Sequence, residues 1–168
     1  MGQSVLLVLR TIHILAAVFW VGGVLIVGLF IMPGIRAAGA GAQPVLAEIM
    51  MRRKLGVYLP ASAMLSMLAG FALYYHNMKL SGGAWAHSSM GVGISAGVVL
   101  AIVATVFGMG ISGPAARKLA MAGGPQAASA ALAPDERQRL QKRAEFGSMM
   151  AMTLLTAAAI AMSVARYL

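Results

Sequence analysis

Four long stretches of the chain contain no Lys, Arg, Asp or Glu, and this spacing of charge constrains the fold more than any other feature. The stretches follow Arg10, Lys54, Lys79 and Glu145 and hold 25, 24, 37 and 20 residues. A helix needs roughly 20 mostly apolar residues to cross the hydrocarbon core of a bilayer. Since 60% of the residues are hydrophobic and only 10% are charged, composition also indicates a membrane protein. The sequence therefore predicts four membrane spans.

The spans are predicted to be helices, because the alternation of apolar and polar residues that marks a transmembrane barrel is absent and Ala, Leu and Met are abundant. Small residues recur about every fourth position, which lets helix backbones approach closely in lipid. We expect an all-α integral membrane four-helix bundle, a single transmembrane domain over residues 1–168 with spans at 5–32, 55–77, 90–112 and 146–167. The small residues are Gly93, Gly97, Ala101, Ala104 and Gly108 in the third span, with Ser62, Ser66, Gly70, Gly147, Ala151 and Ala158 in the second and fourth.

Prolines and glycines indicate where these helices begin and end. The first span is expected to stop at Pro33-Gly34 and the third at Gly113-Pro114. A short amphipathic helix should follow Pro44 and end in the basic residues 52–54. After a flexible stretch at 121–133, one long helix should run from Pro134 to Tyr167, because proline suits the first helical turn. The first span is too long for a cleaved signal peptide, so we expect it to be retained.

The basic residues indicate the orientation. Ten of the 13 fall in the predicted loops 33–54 and 113–145, whereas Arg10, Lys79 and Arg166 lie singly at the opposite ends. Basic residues in short loops mark the cytoplasmic side. The prediction is an N-out, C-out protein whose net charge of +9 reflects topology and contact with anionic lipid, with no nucleic-acid partner.

This topology places all three histidines, His13, His76 and His87, on the outer side. His13 lies about eight residues, or roughly 12 Å, inside the first span. Ionisable groups inside a span are rare and usually face the bundle interior. Ala16 and Ala17 leave space beside its ring, and Trp20 presents an aromatic surface at nearly the same angle.

An imidazole, the small side chains of Ala16 and Ala17 and the flat ring of Trp20 suit a planar macrocycle such as haem b. His76 or His87 would be the second axial ligand, with His76 preferred because it projects from a span. The alternative for His13 is a neutral histidine that hydrogen-bonds to a neighbouring helix.

A second constellation is compatible with copper. His76, Met78, His87 and Met90 form two His/Met pairs within fifteen residues. Imidazole and thioether are ligands that suit Cu(I). Methionine is abundant in this chain, 14 residues in all, and often only fills gaps in a core.

Other chemistry is not indicated. The chain has no cysteine, which excludes disulfides and thiolate metal sites. No Asp or Glu falls within a predicted span, which argues against a carboxylate-driven proton relay or cation transporter. A hydrolytic constellation and a phosphate-binding glycine motif are also missing, so catalytic residues stay unassigned.

Residues 10–23, Arg-Thr-Ile-His-Ile-Leu-Ala-Ala-Val-Phe-Trp-Val-Gly-Gly, resemble the first span of a broad bacterial superfamily. It includes the membrane domain of copper resistance protein D and the oxygen-independent membrane protoporphyrinogen oxidases. The resemblance implies a four-helix, multi-pass protein of the bacterial inner membrane. From the oxidase branch it implies haem b on His13, and from the other branch copper import. The lysine that the oxidase branch offers on a later span is not found in the third span here.

Three functions stay open. The first is a b-type haem protein, with or without oxidoreductase activity, that passes electrons between a quinone or another redox partner and the outer face. The second is copper binding, transport or resistance. The third is a non-catalytic assembly subunit of a membrane complex, and a homo-oligomer is compatible with each.

Because the natural chain has no cysteine, its topology can be tested with single substitutions. Ala84→Cys, in the outer loop, should react with a membrane-impermeant maleimide in intact cells. Ala37→Cys, in the first cytoplasmic loop, should react only after the cells are permeabilised. The reverse pattern would show that the orientation is wrong.

Overall fold

The computed structural model describes residues 1–123 and 132–167, which form five helices, with no strand in these two ranges. Helices α1 (Gln3–Ala38), α3 (Leu55–Leu80), α4 (Ser89–Ala122) and α5 (Pro134–Tyr167) are each long and apolar enough to cross a membrane. The short helix α2 comprises Gln43–Ala47 and Glu48–Arg52, as the sequence predicted. The prediction of an all-α bundle with four long apolar helices is confirmed. Most of the predicted flexible stretch, residues 124–131, lies outside the described residues.

The bundle consists of two tightly packed antiparallel pairs. Helix α1 packs along α3, helix α4 packs along α5, and contacts between α1 and α5 join the pairs. We call the end with residues 1–5, 78–90 and 165–167 the outer end. The opposite end, with residues 32–54, 113–123 and 132–145, is the inner end.

Small residues hold α4 against α5. A Cβ atom added to Gly93 would lie 2.9 Å from the Cβ of Ala165, and one added to Gly97 would lie 3.1 Å from the carbonyl oxygen of Ala158. Near the inner end, a Cβ on Gly147 would lie 2.8 Å from the backbone nitrogen of Ser112. These distances leave no room for a larger residue, so the predicted close approach through small residues is confirmed.

The inner end has a compact core of its own. The side chains of Leu46 in α2 and Leu119 in α4 are almost fully buried there. They pack with Met32 and Ile35 of α1 and with Ala144 of α5. The inner end is therefore a packed extension of the bundle, and α2 is folded against it.

Helices α1 and α4 continue past the prolines that were expected to end them. In α1 a wider π-helical turn, Val27–Ile31, closes with a bond from the Met32 N–H to the Val27 carbonyl, directly before Pro33. In α4 the turn Val106–Ser112 closes in the same way, from Gly113 to Gly108, directly before Pro114.

Proline lacks an N–H, and its ring clashes with the carbonyl four residues earlier. A π turn shifts the hydrogen bonds to five residues and widens the helix locally, which accommodates the ring. The expectation that these two helices stop at Pro33-Gly34 and Gly113-Pro114 is therefore wrong.

Candidate functional site around His13

The side chain of His13 lies between α1 and α3. Its Nδ1 atom is 2.8 Å from the backbone carbonyl oxygen of Ser66. Because a carbonyl oxygen only accepts hydrogen bonds, Nδ1 donates and carries the proton. In the neutral ring, Nε2 then keeps its lone pair.

Ser66 reinforces this contact from the α3 side. Its residue surface is only 2% exposed, and its hydroxyl donates to the backbone carbonyl of His13 at 3.3 Å. The two residues therefore bond reciprocally, side chain to backbone in each direction. This arrangement fixes the position of His13 along α3.

Gly70 makes room for the imidazole. A Cβ atom at this position would lie 2.8 Å from Cε1 and 2.9 Å from Nδ1 of His13. Gly70 follows Ser66 by one helical turn and shares its face of α3. The ring of His13 thus rests on backbone at Gly70 and bonds to backbone at Ser66.

Trp20 fills the centre of the bundle. It is 7% exposed and packs against Ala63 of α3, Ala104 of α4 and Leu155 of α5. Two turns separate it from His13, and Ala16 between them is also buried, whereas Ala17 is partly exposed. The predicted alignment of His13, Ala16 and Trp20 along the interior face of α1 therefore agrees with their burial and contacts.

The other two histidines lie further towards the outer end. His76 is partly buried on α3, six residues beyond Gly70, which corresponds to about 9 Å of helix rise and a face turned by about 120°. His87 is exposed in the short 3₁₀ turn Ala84–His87. No three His, Asp or Glu side chains converge on a possible metal position within residues 1–123 and 132–167. A shared haem with His76 or His87 as second ligand stays a prediction.

The outer loop has a defined conformation. The Ser88 hydroxyl accepts from the Gly91 N–H at 3.1 Å and so caps the start of α4. The same hydroxyl donates to the carbonyl of Trp85 at 2.6 Å, and that carbonyl packs so closely on Gly91 that no side chain would fit. Met78 is partly buried and Met90 is exposed. The copper ligand set of His76, Met78, His87 and Met90 stays a prediction.

Two aromatic residues pack together near the outer end. The ring of Trp85 packs edge-on against Tyr74, with centroids 5.2 Å apart. The Tyr74 hydroxyl lies 2.9 Å from the hydroxyl of Ser95 and links α3 to α4. Tyr74 follows Gly70 by one helical turn, so this contact lies nearer the outer end than Gly70 does.

Sequence reasoning identified His13 but missed its partners. Ser66 and Gly70 were assigned only to helix packing. A usable signal was available, because His13 is ten residues from the start of α1 and Gly70 is ten residues from the end of α3. In an antiparallel pair, equal distances from one end place two residues at the same level.

Comparison with known proteins finds no matching family model, curated protein or solved structure. The resemblance of residues 10–23 to the bacterial membrane superfamily accordingly stays a prediction.

The close contact at Gly70 predicts a selective effect of substitution. Gly70→Ala should displace the imidazole, break its bond to Ser66 and lower the free energy of unfolding by about 1–3 kcal/mol, as overpacking typically does. Gly22→Ala is a matched control within α1, since a Cβ there meets nothing within 4 Å. Thermal unfolding in detergent would compare the two. Equal melting temperatures would contradict the geometry around His13.

Proposed function

We propose that this chain is a small b-type haem protein of the bacterial inner membrane that carries electrons to or from its outer side. The observation that carries the proposal is the hydrogen bond from His13 Nδ1 to the Ser66 carbonyl within two apolar helices. Histidines that bind metals almost always donate their other ring N–H to a carboxylate, a backbone carbonyl or water. That bond selects the tautomer and leaves Nε2 free to bind iron.

The residues near His13 fit one side of a haem. His13 Nε2 would hold the haem iron, which is a standard role of imidazole. Ser66 would orient the ring and make the ligand more basic by accepting from Nδ1. Trp20, packed against Leu155 at the bundle centre, would close the site towards the inner side and exclude water.

His76 would be the second residue to hold the haem, although it lies about 9 Å further along α3 than Gly70 and on a face turned by about 120°. It is on α3, the helix that already holds His13, and it is partly buried, whereas His87 is exposed. Bound haem would supply a one-electron Fe(III)/Fe(II) couple. The donor or acceptor would be a quinone in the bilayer or a redox protein at the outer end, and an oxidoreductase activity would follow from that partner.

The free-energy cost of placing an ionisable side chain within a membrane span also supports a functional role for His13. An ionisable side chain within a span is disfavoured and tends to be retained for function. The Ser66 bond satisfies Nδ1 but does not engage Nε2, so packing alone accounts for only half of the imidazole's hydrogen-bonding capacity.

An absorption spectrum tests the proposal. Protein expressed with a supplied haem precursor and purified in detergent should show Soret and α bands that sharpen on reduction. His13→Ala should retain less than about a tenth of the haem, because removing a ligand should cost at least as much as removing a second-sphere partner. His87→Ala, an exposed position, is the matched control and should keep the pigment.

His76→Ala separates the two possible coordination states. If His76 is the second ligand, this variant should convert low-spin haem to a high-spin form, visible in the absorption and electron paramagnetic resonance spectra. An unchanged spectrum would remove His76 from the site. Colourless wild-type protein, or a His13→Ala variant with full haem content, would refute the proposal as a whole.

A further inference from the structure

A separate feature lies at the inner end, on the face of α5 opposite its packed side. Arg139, Lys142 and Arg143 are all exposed and share this face, because residues three and four apart are neighbours on a helix. We call these three residues the α5 cationic face. One turn further along, Phe146 and Met149 continue the same face and are 56% and 62% exposed. Positive charge thus passes directly into exposed apolar surface along one side of α5.

The α5 cationic face has no carboxylate partner among the described residues. The ion pairs of residues 1–123 and 132–167 join Arg36 to Glu145, and Arg52 and Arg53 to Glu48. Arg139, Lys142 and Arg143 take part in none of them, although Asp135 and Glu136 lie only one turn earlier. Three cations are therefore available to an external anion.

Helix α4 packs along α5 and contacts this face through Phe107. Its inner segment Gly113–Ala122 packs against α5 through Ala115 and Leu119, while Arg117 and Lys118 are exposed. Nearer the centre of the bundle than Arg117 and Lys118, the ring of Phe107 in α4 packs edge-on against Phe146 of α5, with ring centroids 5.9 Å apart. We call Phe107 and Phe146 the aromatic pair. This pair joins the two helices and adjoins the α5 cationic face.

We propose that the aromatic pair and the α5 cationic face bind an anionic phospholipid. The phosphate would accept charge-assisted hydrogen bonds from Arg139, Lys142 and Arg143. An acyl chain would lie along Phe107 and Phe146. A soluble anion would use the cations alone, whereas the exposed aromatic surface directly beside them matches a ligand with a charged head and an apolar tail.

The number of cations in the α5 cationic face sets the expected strength of phospholipid binding. A basic residue close to an anionic membrane surface contributes about a fivefold gain in binding, so removing all three should weaken binding on the order of 100-fold. The interaction is independent of haem, because it lies at the end of the bundle opposite His13.

Binding can be measured on the full-length protein by native mass spectrometry and by the shift of its melting temperature, with delipidated protein titrated with phosphatidylglycerol. The variant Arg139→Gln/Lys142→Gln/Arg143→Gln should lose most of the affinity and of the shift. The matched control is Arg10→Gln/Lys79→Gln/Arg166→Gln, which removes three cations from the outer half of the bundle and should behave like wild type. Should the inner triple variant express poorly, Lys142→Gln/Arg143→Gln is expected to weaken binding about 30-fold by the same reasoning.

Three results would overturn the proposal. One is equal affinity of the two triple variants for phosphatidylglycerol. Another is equally tight binding of phosphatidylcholine, which would show that net negative charge is not recognised. The last is an equal thermal shift from inorganic phosphate at the same phosphate concentration, which would make the site one for soluble anions.

Discussion

The hydrocarbon interior of a bilayer offers no hydrogen-bonding partner, and this constraint governs the whole structure. It requires the four charge-free stretches to be helices, which satisfy their own backbone groups. It also explains the π turns before Pro33 and Pro114, where shifted bonds keep the chain helical although the prolines cannot donate. The same constraint applies to His13, whose Nδ1 proton needs an acceptor and finds the Ser66 carbonyl. The lack of hydrogen-bonding partners in the bilayer thus accounts both for the π turns and for the bond between His13 and Ser66.

The two ends of the bundle differ in composition. The outer half contains His13, His76 and the Tyr74–Trp85 pair, with no carboxylate among its described residues. The inner end carries ten of the basic residues and all four acidic ones, together with a compact core under α2. We propose redox chemistry for the first region and binding of an anionic phospholipid for the second. Trp20 separates them by filling the centre between all four long helices.

Charge spacing was sufficient to predict the helices, and the spacing of Gly93 and Gly97 was sufficient to predict a close α4–α5 contact. The ends of α1 and α4 could not be predicted in this way, because proline chemistry alone does not indicate whether a π turn will absorb the ring. The partners of His13 were missed for another reason. Apolar spans carry little information on how each helix is rotated, so a histidine's burial is easier to infer than the residues it touches. Ser66 and Gly70 emerge only when α1 and α3 are aligned antiparallel.

The Ser66 carbonyl fixes the His13 imidazole with its proton on Nδ1. Nitrogen-15 NMR of histidine-labelled, haem-free protein in lipid tests this directly, with His76→Gln and His87→Gln introduced so that His13 is the remaining imidazole. We expect one neutral tautomer, protonated at Nδ1 and unprotonated at Nε2, with the Nδ1 proton close to the Ser66 carbonyl carbon. A proton on Nε2, or averaging between the two tautomers, would contradict this expectation.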